Sequence, residues 1–267
     1  MGRTPPVMAS GAWPKRPGYA GTMDLKAVKE ASRQELVACA AAAATNGRDL
    51  LDDAELLADS NRHPRAYSLA VLAVEEYGKA VSLLTLAVMP ENLRAQAPVR
   101  RMLECHPIKQ VGGLLLAVLP LSEPGPAESL ATMPLAHLTR VLETTDAFAQ
   151  DADRLKLRGL YVDMQRDARI RRPSEITEAE VSDEIGRVRQ VASSASMLCD
   201  SGVVDRLADP PAEAVELAGA LVGAFSGSDE YCAPDAAAAM ALKAVRELKE
   251  HLAATAKPAS PARPKRP

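Results

Sequence analysis

Apolar positions recur at three- and four-residue steps along most of the chain, the period of a helix face. Between Asp24 and Asp59, Leu36, Ala40, Ala43, Ala44, Leu50, Leu51, Ala54 and Leu57 follow that step and predict one helix, with a kink at Gly47. Asn61-Arg62-His63-Pro64 breaks the pattern, and Pro64 suits the first turn of a second helix over about 65–88. That segment is apolar on most faces, through Leu69, Val71, Leu72, Val74, Val81, Leu83, Leu84 and Leu86, so it predicts a central, buried helix. Its strong polar interruption is Glu75-Glu76 and Lys79. A turn at 89–92 leads to a short helix ending near Glu104. Pro107 predicts an extended His106 and a new helix from Ile108 to Leu119, which contains Gly112-Gly113. Further on, the pattern predicts a loop at 122–126, a helix over about 135–161 and a polar loop at 164–176. Thr177-Glu178-Ala179-Glu180 is a capping box that opens a helix to about Leu207. After Pro210-Pro211, two more helices are predicted over about 212–224 and 235–254. No β-strand and no internal repeat is predicted.

Composition strengthens the helical reading. Aromatic residues are 3% of the 267, so the core must be built from Ala, Leu and Val, which argues against a β-sandwich or barrel. The predicted fold class is all-α, an antiparallel helical bundle over residues 23–208 with additional C-terminal helices over 209–255. Residues 1–22 and 256–267 are Pro-rich and basic, and both predict disordered tails. The net charge of −3 hides this segregation: the tails hold seven cations and no acid, which leaves the body at roughly −10. Such a body is no general polyanion binder, so contact with nucleic acid would need a local patch. Cys39, Cys105, Cys199 and Cys232 include no C-x-x-C pair, and a chain of this size buries a core without disulfides, so they read as thiols of a reducing cytosol. No apolar run reaches 18 residues and no signal-peptide core precedes the first helix. The expected setting is the cytoplasm, with no membrane partner.

Three constellations carry chemistry. Glu75 and Lys79 stand at i and i+4 and can pair, with Glu76 beside them; they form either an internal ion pair that fixes helix register or the polar wall of an active site. Arg101 and His106 form R-x4-H, with Arg100 as the alternative arginine. A neutral imidazole can take the proton from a ribose 2′-OH, and a guanidinium can hold the phosphate and offset its growing charge. The attack is internal, so the reaction needs no metal and no cofactor. The spacing alone is weak, because Arg246 and His251 match it too, on a charged segment that reads as a solvated face. The third constellation is a basic cluster, Arg154, Lys156, Arg158, Arg166, Arg169, Arg171 and Arg172, opposed only by Asp163 and Asp167. It suits an RNA backbone, or equally a solvated loop paired with acidic neighbours. No Walker loop, dinucleotide-binding glycine pattern, nucleophile elbow or H-E-x-x-H metal motif is present.

Several segments together are more specific than any one motif. Ala66 with Leu69-Ala70, then Glu75-Glu76 and Lys79, then His106 with Lys109, then Gly159-Leu160-Tyr161-Val162-Asp163 resemble the AbiV-type phage abortive-infection family, a branch of the HEPN superfamily. The resemblance covers roughly residues 30–205. Pro107 departs from the family pattern. The resemblance implies a helical bundle that dimerises with two R-x4-H motifs at one shared cleft, acting as a metal-independent endoribonuclease. Arg101 and His106 would be the phosphate-stabilising and acid/base pair, with Arg100 the alternative and Glu75, Glu76, Lys79 and Lys109 supporting. Arg158, Arg166, Arg169, Arg171 and Arg172 would grip the RNA, whether tRNA, rRNA or mRNA. A homodimer and a phage-encoded activator are the implied protein partners. Some superfamily members are non-catalytic, so the rival is a helical module that blocks translation by binding a ribosomal or phage factor. A helical scaffold with no defence role is a third, plainer alternative.

Overall fold

The computed structural model describes residues 24–95, 97, 99–118, 156–157, 159–164 and 170–198, with the isolated helical positions 212, 215 and 219. The two tails, the predicted loop at 122–126, most of the helix at 135–161 and nearly all of the two C-terminal helices lie outside these residues. The fold is an all-α bundle. Its elements are α1 (Leu25–Glu30), α2 (Arg33–Asp59), α3 (His63–Val88), α4 (Glu91–Arg94), α5 (Val99–Glu104), α6 (His106–Val118) and α7 (Glu178–Leu198).

The predicted first helix is divided in two by a local competitor. Ser32 caps α2 by accepting a hydrogen bond from the Glu35 amide (3.2 Å), and the Glu35 carboxylate accepts from the Ser32 amide (2.7 Å). This reciprocal box ends α1 at Glu30 and starts α2 afresh. Asp24 caps α1 by accepting from the amides of Lys26 and Ala27. At Gly47 the helix is uninterrupted, and the Tyr77 ring fills the place of a side chain, 3.1 Å from where a Cβ would lie.

Asn61, at φ 56°, turns the chain from α2 into α3 in the left-handed region that asparagine tolerates better than most residues. Pro64 sits in the first turn of α3 as predicted. The two helices run antiparallel, since Arg33 at the start of α2 donates from Nε to the Ala87 carbonyl at the end of α3 (2.8 Å). α3 is the central helix, packed on α2, α6 and α7. Its fully buried side chains include Ala66, Ala70, Val71, Leu83 and Leu86, facing Leu36, Ala40 and Ala54 of α2 and Val181, Val188 and Val191 of α7 in one core. Arg189 bridges α7 to Glu55 of α2 at the rim (2.7 Å).

α6 runs back along α3 at close range. A Cβ on Gly78 would collide with the backbone carbonyl of Lys109, and one on Gly113 would lie 2.5 Å from the Val74 carbonyl oxygen. Gly112 also faces Gly78. Gly112, Gly113 and the alanines at 40, 43 and 44 therefore serve close packing within one chain.

Two further details differ from the sequence reading. α6 begins at His106 rather than after it, because the Cys105 carbonyl accepts from the Lys109 amide (3.1 Å) and makes Cys105 the cap. Pro107 then falls in the first turn, where a missing N–H costs nothing. The polar loop at 164–176 holds a short antiparallel pair, Asp163–Met164 with Ile170–Arg171, and one 3-10 turn, Pro173–Glu175. The pair lets the two ends of that excursion satisfy each other's backbone groups. The capping box at Thr177 is present, with the Glu180 carboxylate 2.7 Å from the Thr177 amide.

Candidate active site

The polar interruption of α3 is directed at α6. Glu75 is buried, 2% exposed, and four side chains converge on its carboxylate. Oε2 lies 2.6 Å from His106 Nδ1 and 3.4 Å from Lys109 Nζ. Oε1 lies 2.6 Å from Lys156 Nζ and accepts from Gln110 Nε2 at 3.0 Å. His106, Lys109 and Gln110 share one face of α6 because they stand at i, i+3 and i+4. Lys156 arrives from a helical segment that includes 156–157 and 159–160, which docks against the start of α3. There the buried Ser68 hydroxyl lies 2.9 Å from the Lys156 carbonyl and 3.0 Å from the Pro64 carbonyl.

This arrangement fixes the histidine. Lys156 Nζ is also 3.5 Å from His106 Nδ1, so Nδ1 has two prospective partners. The carboxylate is far closer and has no proton to give, so Nδ1 carries the hydrogen and donates it to Glu75. Nε2, across the ring, then holds the lone pair. The side chain is 52% exposed, and Nε2 is the nitrogen left to meet a substrate.

Burial alone would push the Glu75 carboxyl up. The hydrogen bond from His106 and the charges of Lys156, Lys109 and His106 outweigh it and hold the group at about 2, against an ordinary 4.5. Glu184 on α7 shows the opposite balance: it is fully buried with Arg187 at 2.9 Å, and burial pushes its carboxyl up. Because the folded Glu75 value is depressed, its contribution to stability is complete above pH 4.5 and is lost as pH falls toward 2. That contribution is on the order of 3 kcal/mol. Urea unfolding between pH 5 and pH 2 should show the loss in the native protein and a flatter dependence in Glu75→Gln.

The remaining expected site residues are distributed as follows. Lys79 does not pair with Glu75. It bonds Glu76 one turn away (3.1 Å), so these two form a local, half-buried ion pair beside the site. Arg100 donates from Nε to Glu104 at 2.9 Å, and its side chain is 83% exposed. Arg101 lies in α5, with its side chain outside the described residues. Arg158, Arg166 and Arg169 also lie outside them. Arg171 is opposite Asp163 in the short antiparallel pair, and Arg172 is exposed. Cys105 is disulfide-bonded, a correction to the reading of all four cysteines as thiols; Cys39 is free. Among the described residues no group of three His, Cys, Asp or Glu side chains converges as a metal site requires.

Sequence reasoning missed two members. Gln110 was recoverable from its four-residue spacing after His106. Lys156 had been placed in the basic cluster, yet nothing local signals that it turns inward.

Over its described residues the chain is a helical bundle with His106 held on buried Glu75. It matches the family model HEPN_AbiV, described as AbiV, over residues 35–193. The chain belongs to this family, the abortive-infection branch of the HEPN proteins. No curated protein and no solved structure matches it. Among the described residues no helix is long and apolar enough to cross a membrane.

Proposed function

We propose that the protein is an antiphage effector that cleaves RNA without a metal, with His106 as the acid/base group. The observation that carries this reading is the contact between His106 Nδ1 and buried Glu75, which leaves Nε2 as the base on a half-exposed ring. Nε2 takes the proton of a ribose 2′-OH. The oxygen attacks the adjacent phosphorus and the bond to the 5′-oxygen breaks, leaving a 2′,3′-cyclic phosphate and a 5′-hydroxyl end. A proton returned by an imidazolium completes the leaving group. Arg101 holds the phosphate, with Arg100 as the alternative once its pair with exposed Glu104 opens. Glu75 acts as a positioning residue and Lys109 supports it, while Glu76 and Lys79 brace the same helix. Arg158, Arg166, Arg169, Arg171 and Arg172 hold the RNA backbone. A cytoplasmic homodimer would place two such histidines at one cleft and let the second supply the returning proton.

The test is cleavage of total cellular RNA by purified protein in EDTA, wild type beside His106→Ala. Wild type should cut and the variant should lose about 10²–10⁴-fold in rate. Equal cutting by both removes His106 from the chemistry.

A second reading is favoured by the exposed apolar side chains of Leu157, Leu160, Tyr161 and Val162 next to the site, with Val162 68% exposed. Such a patch suits a non-catalytic module that blocks translation by binding a ribosomal or phage factor. That module would protect cells equally well with His106→Ala.

A further inference from the structure

We infer that Arg62, Arg65 and Arg172, with Tyr161, form a docking surface for single-stranded RNA at the end of the bundle where α3 begins, apart from His106. The inference rests on RNA being the ligand proposed above.

Three arginines stand out by having no acceptor within the protein. Among the described side chains, each other lysine or arginine faces a carboxylate, carbonyl or hydroxyl oxygen of the chain. Arg62, Arg65 and Arg172 are exposed and face none. They are also neighbours. Arg62 is the N-cap residue of α3 and Arg65 lies in its first turn. Arg172 directly precedes the 3-10 turn that packs on α3. Gly159 joins the two stretches: a Cβ there would collide with the Pro64 carbonyl and lie 3.3 Å from Ile176 Cδ1.

Tyr161 follows two residues after Gly159, and its ring is 63% exposed. Unpaired guanidiniums beside an exposed aromatic ring suit a single strand, whose phosphates meet the cations while an unstacked base lies on the ring. The acids on the same connection are engaged, since Glu175 accepts from the Arg172 amide and Glu180 from the Thr177 amide. Asp59 and Glu178 stay exposed, so this is a local patch on an acidic body. Arg65 precedes Glu75 by ten residues of α3, about 15 Å along the axis. A strand covers that length with about four or five nucleotides, so the surface sets where the RNA lies and takes no part in the chemistry.

The experiment is fluorescence anisotropy with a labelled 2′-O-methyl oligouridine of about twelve nucleotides, which has no 2′-OH to attack. Wild type should bind it. The triple variant Arg62→Gln, Arg65→Gln, Arg172→Gln should bind about tenfold or more weakly, and its slope of log Kd against log salt should be smaller by about 2, at about 0.7 for each lost phosphate contact. Tyr161→Ala should bind about tenfold more weakly with the slope unchanged. The control Lys26→Gln, Arg48→Gln, Arg189→Gln removes the same charge from paired cations elsewhere and should bind as wild type does. Wild-type affinity in the arginine variant or in Tyr161→Ala overturns the inference. So does an equal loss in the control, no binding by wild type, or arginine-dependent binding to phosphatidylserine vesicles in place of RNA. Because the probe cannot be cleaved, the two proposals fail separately. A protein that cuts no RNA in EDTA yet loses the probe with the arginines refutes the nuclease and upholds the surface. One that cuts RNA while the arginine variant binds normally does the reverse.

Discussion

Gly78→Ala should lower the thermal midpoint by about 10 °C or more, although alanine is favoured over glycine inside helices by about 1 kcal/mol. The reversal comes from the crossing of α3 and α6. The added Cβ would run into the Lys109 carbonyl, a backbone atom that cannot rotate away, so α6 must shift bodily. Overpacking of this kind costs about 3 kcal/mol or more. The shift also draws His106 and Lys109 away from Glu75, so cleavage should fall with stability. Gly112→Ala is the control, because its Cβ would meet only ordinary contacts at 3.7 Å and should leave the midpoint near that of wild type. Scanning calorimetry of both variants checks the prediction. A Gly78→Ala melt superimposed on wild type would refute the close crossing.

Glu75→Gln should be the most damaging change at the site itself. It removes the negative charge shared by two lysines that are 5% and 9% exposed, so each buried ammonium loses that partner. Breaking a buried pair in this way costs about 3–5 kcal/mol. The amide also presents either a carbonyl or an NH₂ to His106 Nδ1, and the second would favour the tautomer with its hydrogen on Nε2, which cannot act as a base. Cleavage should therefore drop by about 10²-fold or more even at a temperature where the variant is fully folded. Chemical denaturation and RNA cleavage at 15 °C separate the two effects. Loss of stability with full cleavage would show that Glu75 only braces the core.

Much of the helical architecture was legible because its signals are local. The all-round apolar character of α3, Pro64 in its first turn and the Thr177 capping box each act over a few residues. The break at Ala31-Ser32 was legible in principle too, since Ser32 and Glu35 spell the same box, but an unbroken apolar period masked it. At the site, the motif placed His106 and the polar interruption placed Glu75. The choice between Glu75 and Glu76 was not legible, because it depends on which face of α3 meets α6. Lys79 illustrates the same limit: it had a four-residue route to Glu75, yet the three-residue route to Glu76 was taken because Glu75 points into the bundle. Lys156 could not be recognised at all from composition, since among seven clustered cations only tertiary packing decides which is buried.

The bonds at Glu75 join partners 31 residues away at His106 and 81 residues away at Lys156. The site therefore cannot be complete in a chain synthesised only as far as residue 155. His106 follows Glu75 by 31 residues, and the lysine follows the histidine by a further 50, several seconds later at about 5–20 residues per second. During that interval the nascent protein holds a carboxylate that is short of one of its cations. A chain terminated prematurely anywhere in the span would stay in that state. For a protein whose activity would harm the cell that makes it, the late arrival of one lysine keeps translation intermediates incomplete until the ribosome has passed the middle of the message.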